Sequence, residues 1–323
     1  MAPSFLITID TEGDNLWGRH AGITTRNTGY LPRFQGLCER FGFKPTWLTN
    51  YEMAMDPAFV EFGRDVITRG TGEIGMHLHA WNSPPLIPLT ADDMRCHPYL
   101  IEYPENVMRD KVALMTDLLQ ERFGVKMLSH RAGRWAFDAR YARLLVEFGY
   151  VADCSVTPGV SWQSQLGNPD GAGGTDYRCF PDTPYYPDTD DISRPGSSPL
   201  LEVPMTTRTS WLNATLPMAY TIPGVRSVAW RAAPPVRWLR PNGKNLSDML
   251  ALVQASVRER RGHIEFMLHS SEFMPGGSPT FRTASDIDKL YGDLEALFPA
   301  IARAYGGVTL ADFAAQYGKE HRP

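Results

Sequence analysis

No Cys-x-x-Cys pair occurs among the four cysteines, Cys38, Cys96, Cys154 and Cys179. Scattered thiols of this kind argue against a disulfide framework and fit reduced, structural cysteines in a cytoplasmic protein. No run of about 18 apolar residues is present, so no transmembrane segment is expected. The opening Met-Ala-Pro-Ser passes straight into Phe-Leu-Ile-Thr-Ile with no basic n-region, apolar stretch or cleavage site, so no secretory signal is expected either. Positive charge is not in excess. The formal net charge is −4, and nothing global points to a nucleic-acid partner. Internal repeats and low-complexity tracts are also missing.

What remains is an α/β pattern. Short β-rich runs at 5–10, 46–50, 73–79, 127–131, 150–156, 200–206 and 264–270 alternate with helical stretches. The clearest helices are 104–123, where Val107, Leu114, Leu118 and Leu119 are expected on one face, and 137–148, 246–260 and 284–305. Strands alternating with helices predict parallel β/α units. About seven of them predict a distorted (β/α)7-type barrel formed by a single domain over 1–323. Two long segments interrupt the rhythm, 157–199 and 204–247, and are expected as insertions that cover or shape a site.

The polar residues of this pattern gather at strand ends. Asp10 and Glu12 stand two apart at the end of the first run, so in extended chain they point the same way. Two such carboxylates repel unless a cation or proton intervenes, although Gly13 and Asp14 leave a turn or capping cluster equally open. His77 and His79 repeat the same spacing on the third run. Two imidazoles, a carboxylate and an open position make a catalytic zinc recipe. His269 follows the last apolar run and opens a Pro/Gly-rich loop, a place for a general acid or base or for a turn histidine. Arg131, at the end of the fourth run, is placed to hold a carboxylate such as Asp10 ionised. Trp135 is a candidate wall for a sugar ring. His130 is either a supporting residue or a third histidine of the site. His20, His97 and His321 read as surface residues, and His263 starts a strand at the wrong end.

These segments resemble, in order, the motifs of the polysaccharide deacetylase superfamily of carbohydrate esterases. Thr-Ile-Asp10-Thr-Glu12 is similar to the first motif, Glu73 to Trp81 to the histidine motif, and Arg131 to Trp135 to the arginine/tryptophan motif. Asp153-Cys-Ser-Val and Leu268-His269 resemble the later ones. The resemblance implies a divalent metal, zinc by preference, on Glu12, His77 and His79, with Asp10 as base, His269 as acid and Arg131 supporting Asp10. Trp81, Trp135, Arg134 and Glu272 are the implied substrate contacts. Thr11 stands where many members carry the metal aspartate, and Trp81 where many carry the second histidine. The chain therefore resembles an atypical branch, associated with cell-surface and O-antigen polysaccharides, acting on an acetyl or formyl group.

A basic segment stands apart from this machinery. Between Val203 and Ser247 there is no acidic residue, while Arg208, Arg226, Arg231, Arg237, Arg240 and Lys244 occur with Trp211, Trp230 and Trp238. It reads as a surface subdomain or an arginine-rich contact between copies in a homo-oligomer. It reads equally as a wall for an anionic or lipid-linked carbohydrate, or as a contact with the inner membrane from the cytoplasm. Two other functions fit the same sequence: a hydrolase of small amides or cyclic ureides, and a non-catalytic glycan-binding protein.

Overall fold

The computed structural model describes residues 2–18, 22–167, 171–220, 222, 224–225, 227–228 and 234–321. His20, Arg226, Trp230 and Arg231 lie outside the described residues. The first strand, β1 (Ser4–Thr11), is buried along its whole length, and its alternation sets up the rest. Phe5, Ile7 and Ile9 point outward into the main apolar core. Leu6, Thr8 and Asp10 take the other face, which grades from apolar at the strand's start to acidic at its end.

After β1 come α1 (Leu31–Arg40), β2 (Thr46–Thr49), α2 (Tyr51–Ala54), α3 (Pro57–Thr68) and β3 (Glu73–Leu78). Next are α4 (Asp93–Cys96), α5 (Glu105–Phe123), β4 (Ser129–Ala132), α6 (Ala139–Glu147), β5 (Ala152–Asp153) and β6 (Leu201–Glu202). The chain then forms β7 (Thr207–Thr209), α7 (Trp211–Thr215), β8 (Val236–Trp238), α8 (Leu246–Arg258) and β9 (His263–His269). It finishes with α9 (Ala284–Ala302), β10 (Gly306–Gly307) and α10 (Leu310–His321).

One sheet runs β10-β1-β2-β3-β4-β5-β6, with β9 also paired to β1, and every pairing in it is parallel. It curls until β6 nears β9, where the Glu265 amide donates to Thr206 Oγ1 at 2.7 Å. The result is a distorted (β/α)7-type barrel, with the short β10 beside the first residues of β1. Leu6, Leu48, Ala152, Cys154, Leu201 and Val203 fill one end of its interior, and Leu310, Phe313 and Ala314 of α10 plug it.

Two expectations are corrected. The strand expected over 150–156 shrinks to β5, because side chains replace the ladder beyond it. The Ser155 amide donates to Asp153 Oδ2 at 2.9 Å and the Val156 amide to Glu202 Oε1 at 3.0 Å. On α5, Leu114 turns out to solvent, and Lys111 takes the inward place with Val107, Val112, Met115 and Leu119. Lys111 Nζ is satisfied there by the carbonyls of Ser83 and Pro85, at 2.6 and 2.7 Å. Both insertions exist. The first buries Tyr177, Tyr185 and Ile192 against the barrel, and the second is carried by the antiparallel pair β7–β8. Among the described residues no helix is long and apolar enough to cross a membrane.

Candidate active site

Parallel pairing sets Asp10 level with His269, and His77 level with Arg131. Each of these strand ends therefore delivers a polar side chain to one mouth of the barrel, where β/α folds assemble their sites. A clasp fixes the seam between β1 and β9. Ser270 Oγ meets both the amide and the carbonyl of Glu12, at 3.0 and 2.9 Å, and Asn27 Nδ2 donates to that carbonyl and to Ser270 Oγ, each at 2.8 Å.

Glu12, His77 and His79 converge so that their ligand atoms all lie within 4.8 Å of one another, and all three are buried. His79 Nε2 is 2.9 Å from Glu12 Oε2 and 3.2 Å from His77 Nε2. His77 Nδ1 bonds the Arg131 carbonyl at 2.9 Å, so it carries the ring proton and leaves Nε2 with a lone pair. A single proton on His79 Nε2 then faces two acceptors and satisfies one. A cation in its place satisfies both, so this donor set fits a divalent metal. Burial pulls His77 down to about 4, which keeps it neutral, as a metal ligand must be. Burial opposes the charge of Glu12, but the His79 hydrogen bond and the nearby histidines hold its carboxyl below the usual range.

Asp10 sits in a different field. Arg131, fully buried, donates from Nη1 to Asp10 Oδ1 at 2.6 Å. Its Nη2 reaches Glu265 Oε1 at 2.6 Å and Thr8 Oγ1 at 2.5 Å, and its Nε reaches the Cys154 carbonyl at 3.1 Å. Burial alone would raise Asp10; the guanidinium, with His77 and His269, more than offsets it and holds the carboxyl well below the usual range. Burial pushes Glu265 up to about 7, against the pull of the same guanidinium and of the Thr8 hydrogen bond, with the Asp10 charge adding to the rise.

His269 Nε2 lies 3.7 Å from Asp10 Oδ2 and 3.8 Å from Glu12 Oε1. Glu272, buried, accepts from the His269 amide at 2.8 Å and lies 3.2 Å from its Nδ1. Burial works against the imidazolium, and the Glu272 carboxylate raises the His269 pKa despite it.

No protein-family model matches the sequence, and no curated protein matches it. Solved structures do. A glycoside hydrolase/deacetylase candidate from Parabacteroides distasonis superposes with a TM-score of 0.61 at 11% identity, over 99% of this chain and 73% of that one. A candidate polysaccharide deacetylase from Mycobacterium smegmatis gives 0.52 at 16% identity, over 99% and 92%. The fold is that of the polysaccharide deacetylases. Puue allantoinase shares it, with a TM-score of 0.53 at 15% identity over 100% of this chain and 91% of its own.

On this deacetylase fold the remaining expected residues separate. His130 belongs to the opposite face of β4, where Asp153 Oδ1 and the Tyr141 hydroxyl hold it at 2.5 and 2.7 Å, so it does not join the site. Asp14 is occupied by Thr24 and by Arg26 Nε, the latter at 3.0 Å. Thr11 turns its hydroxyl back to the Ile9 carbonyl, at 2.9 Å, which leaves Glu12 to face the histidines. Trp81 packs 5.5 Å from the His79 ring. Trp135 is buried over Arg131, 4.6 Å from the guanidinium carbon to the ring centre, so it braces that arginine rather than standing open to a sugar. Its placement uses two successive left-handed residues, Arg134 at φ 54° and Trp135 at φ 60°, a strained turn that also leaves Arg134 exposed. Glu272 likewise turns inward to His269.

Three residues near the centre have no motif in the sequence. Trp17, 44% exposed, sets its ring 4.8 Å from that of His269 and anchors Nε1 to Ser271 Oγ at 3.0 Å. Glu52 accepts from the Gly13 amide at 2.7 Å and from Asn82 at 2.8 Å, and burial, opposed by those bonds, pushes it up to about 7. Arg240 Nη2 lies 3.1 Å from His269 Nδ1 and 3.5 Å from Glu272. Arg240, Glu272, Trp162 and Trp238 line a cavity of about 750 Å³ beside His269. Of the other described arginines of the basic segment, Arg208 is paired with Glu259 at 2.8 Å and Arg237 with Asp248 at 3.4 Å, so among the described residues of that segment Arg240 is the arginine that reaches the site.

Proposed function

We propose that the protein is a divalent-metal-dependent hydrolase that removes an acyl group, acetyl or formyl, from an amino sugar or sugar of a bacterial surface polysaccharide. The observation that carries this reading is the meeting of a Glu12–His77–His79 donor set with an arginine-held carboxylate, Asp10, and a carboxylate-held imidazole, His269. Zinc suits two imidazoles and one carboxylate best. A cation held there supplies positive charge that polarises an acyl carbonyl and acidifies water.

The chain's own residues supply the rest. Asp10 Oδ1 is engaged by Arg131, and its Oδ2 takes the proton of the attacking water as the oxygen bonds to the acyl carbon. The C–N or C–O bond breaks, and His269 Nε2 gives its proton to the leaving nitrogen or oxygen, while Glu272 holds Nδ1. The proton on Asp10 then returns the imidazole to its starting state across the 3.7 Å between them. Trp17, Trp162 and Trp238 offer apolar faces for sugar rings, and Arg240 supports a substrate that carries negative charge. Free thiols throughout fit work in the cytoplasm.

Release of acetate and formate from N- and O-acylated oligosaccharides by the zinc-loaded protein tests the reading. Acyl release that disappears in Asp10→Asn is expected; bound metal with no acyl release from any glycan would overturn it. The structural likeness to Puue allantoinase favours one second reading, hydrolysis of a small cyclic ureide. Opening of such a ring in the same assay, with glycans untouched, would establish it instead.

A further inference from the structure

We infer that the cavity beside His269 binds the leaving part of a glycan chain, so that the substrate is held over three successive sugar rings. On the hydrolase reading, on which this rests, the departing nitrogen or oxygen belongs to the sugar and takes its proton from His269 Nε2. The chain that carries it therefore extends past His269. A cavity of about 750 Å³ opens there, with Glu272 and Arg240, both in contact with His269, on its wall. That volume lies within the range of roughly 300–1,000 Å³ that encloses ligands of several rings.

The two insertions build the cavity between them. Trp162 comes from the first, and its indole is fixed by Nε1 donating to Thr157 Oγ1 at 3.0 Å. Trp238 comes from β8 in the second and packs against Trp135, with ring centres 6.1 Å apart. Arg131, Trp135, Trp238 and Trp162 thus form one packed series from the arginine that holds Asp10 to the cavity wall. The guanidinium carbon is 4.6 Å from the Trp135 ring centre, and the Trp162 ring centre is 6.3 Å from that of Trp238. Indoles braced in this way lose little freedom when a ligand settles on them.

The inclination of the two indoles sets the length. Their planes meet at 63°, so a single pyranose cannot stack on both. Each therefore serves its own ring, first Trp238 and then Trp162 along the series from Arg131. The acylated sugar takes the exposed ring of Trp17 beside His269, which makes three. Ser164, Gln165 and Asn242, exposed on the same wall, supply the neutral hydroxyl and amide groups that pair with sugar hydroxyls.

Calorimetric titration of zinc-loaded Asp10→Asn, which should bind without turnover, tests this with N-acetylglucosamine and its β-1,4-linked oligomers of two to five units. Affinity should rise by at least about tenfold from one unit to three and level off beyond. Adding Trp162→Ala in the same background should level the series off at two units. Equal affinity for one unit and five, no binding at any length, or a Trp162→Ala series that still climbs to three would each overturn the proposal. Should that variant fail to fold, the series without it decides. Acyl release from the same oligomers by the zinc-loaded wild type separates the cavity from the chemistry. Length-dependent binding without acyl release would leave a glycan-binding cavity and remove the hydrolase reading. Acyl release at a kcat/KM independent of length would keep the hydrolase and remove the three-ring cavity.

Discussion

Asp10 and Glu12 stand two residues apart on one strand end and ionise for different reasons. Arg131 holds the first, and the histidines hold the second. Under the proposed function that difference divides the work between them, because a carboxylate satisfied by a guanidinium keeps one oxygen for a proton, while one facing two imidazoles is placed to hold a cation. Asp10→Asn should therefore keep its metal and lose turnover by roughly 10²–10⁴-fold, measured as kcat with metal content checked alongside. Glu272 acts one step removed, through His269. Its carboxylate raises the imidazole's pKa, so Glu272→Gln should lower it and move the alkaline limb of the kcat/KM profile to lower pH. An unmoved limb would deny His269 the role of acid. The pairs Asp10/Glu12 and His77/His79 were legible because period-2 alternation is local. Trp17 and Glu52 were not, because each meets the centre through a loop or helix start whose path no local pattern encodes, and Arg240 was legible only as one basic residue of the segment after Val203, without its place beside His269. Trp135 and Glu272 were legible as residues near the site, but their inward orientation comes from the strained turn after β4 and from the short helical turn after β9.

At the scale of elements, the barrel followed from the alternation of apolar strands and amphipathic helices. The extents of β5 and β6 did not, since Asp153 and Glu202 satisfy backbone amides that a longer ladder would have used. The α5 stripe misled at Leu114 for a related reason: Lys111, a charged residue, takes an inward place because two loop carbonyls receive its ammonium. Tight approach between β3 and the turn after β4 is a further element-level constraint. A Cβ on Gly133 would lie 2.4 Å from the Leu78 carbonyl oxygen and 2.8 Å from His79 Nδ1. Gly133→Ala should accordingly destabilise the fold by about 1–3 kcal/mol and weaken metal affinity by displacing His79, while an exposed Gly→Ala control such as Gly36→Ala does neither. Urea unfolding and a zinc titration of the two variants check this; equal metal affinity in both would separate Gly133 from the site.

The whole molecule carries these buried charges as a pH dependence. In metal-free protein, His77 titrates near 4 when folded and near its ordinary 6.5 when unfolded. The unfolded chain therefore binds more protons as pH falls from about 6.5 to about 4, and stability declines across that window. Asp10, held low in the fold, adds a further loss below the ordinary aspartate range. His269, raised in the fold, works oppositely and gives up its contribution as pH rises through its folded value. Glu52 and Glu265, pushed up to about 7 by burial, work against His77 over the same window, so the His77 contribution is read as a difference: between pH 7 and 4 the urea midpoint of metal-free wild type should fall relative to that of metal-free His77→Gln. Bound metal should raise the melting temperature and steepen the acid dependence, because its histidine ligands must be deprotonated.

Calorimetric titration of zinc into metal-free wild type, Asp10→Asn and His77→Ala tests the centre of this account most directly. One equivalent should bind to the wild type and to Asp10→Asn with similar affinity, and His77→Ala should bind at least about tenfold more weakly. Unaltered affinity in His77→Ala would contradict the Glu12–His77–His79 site.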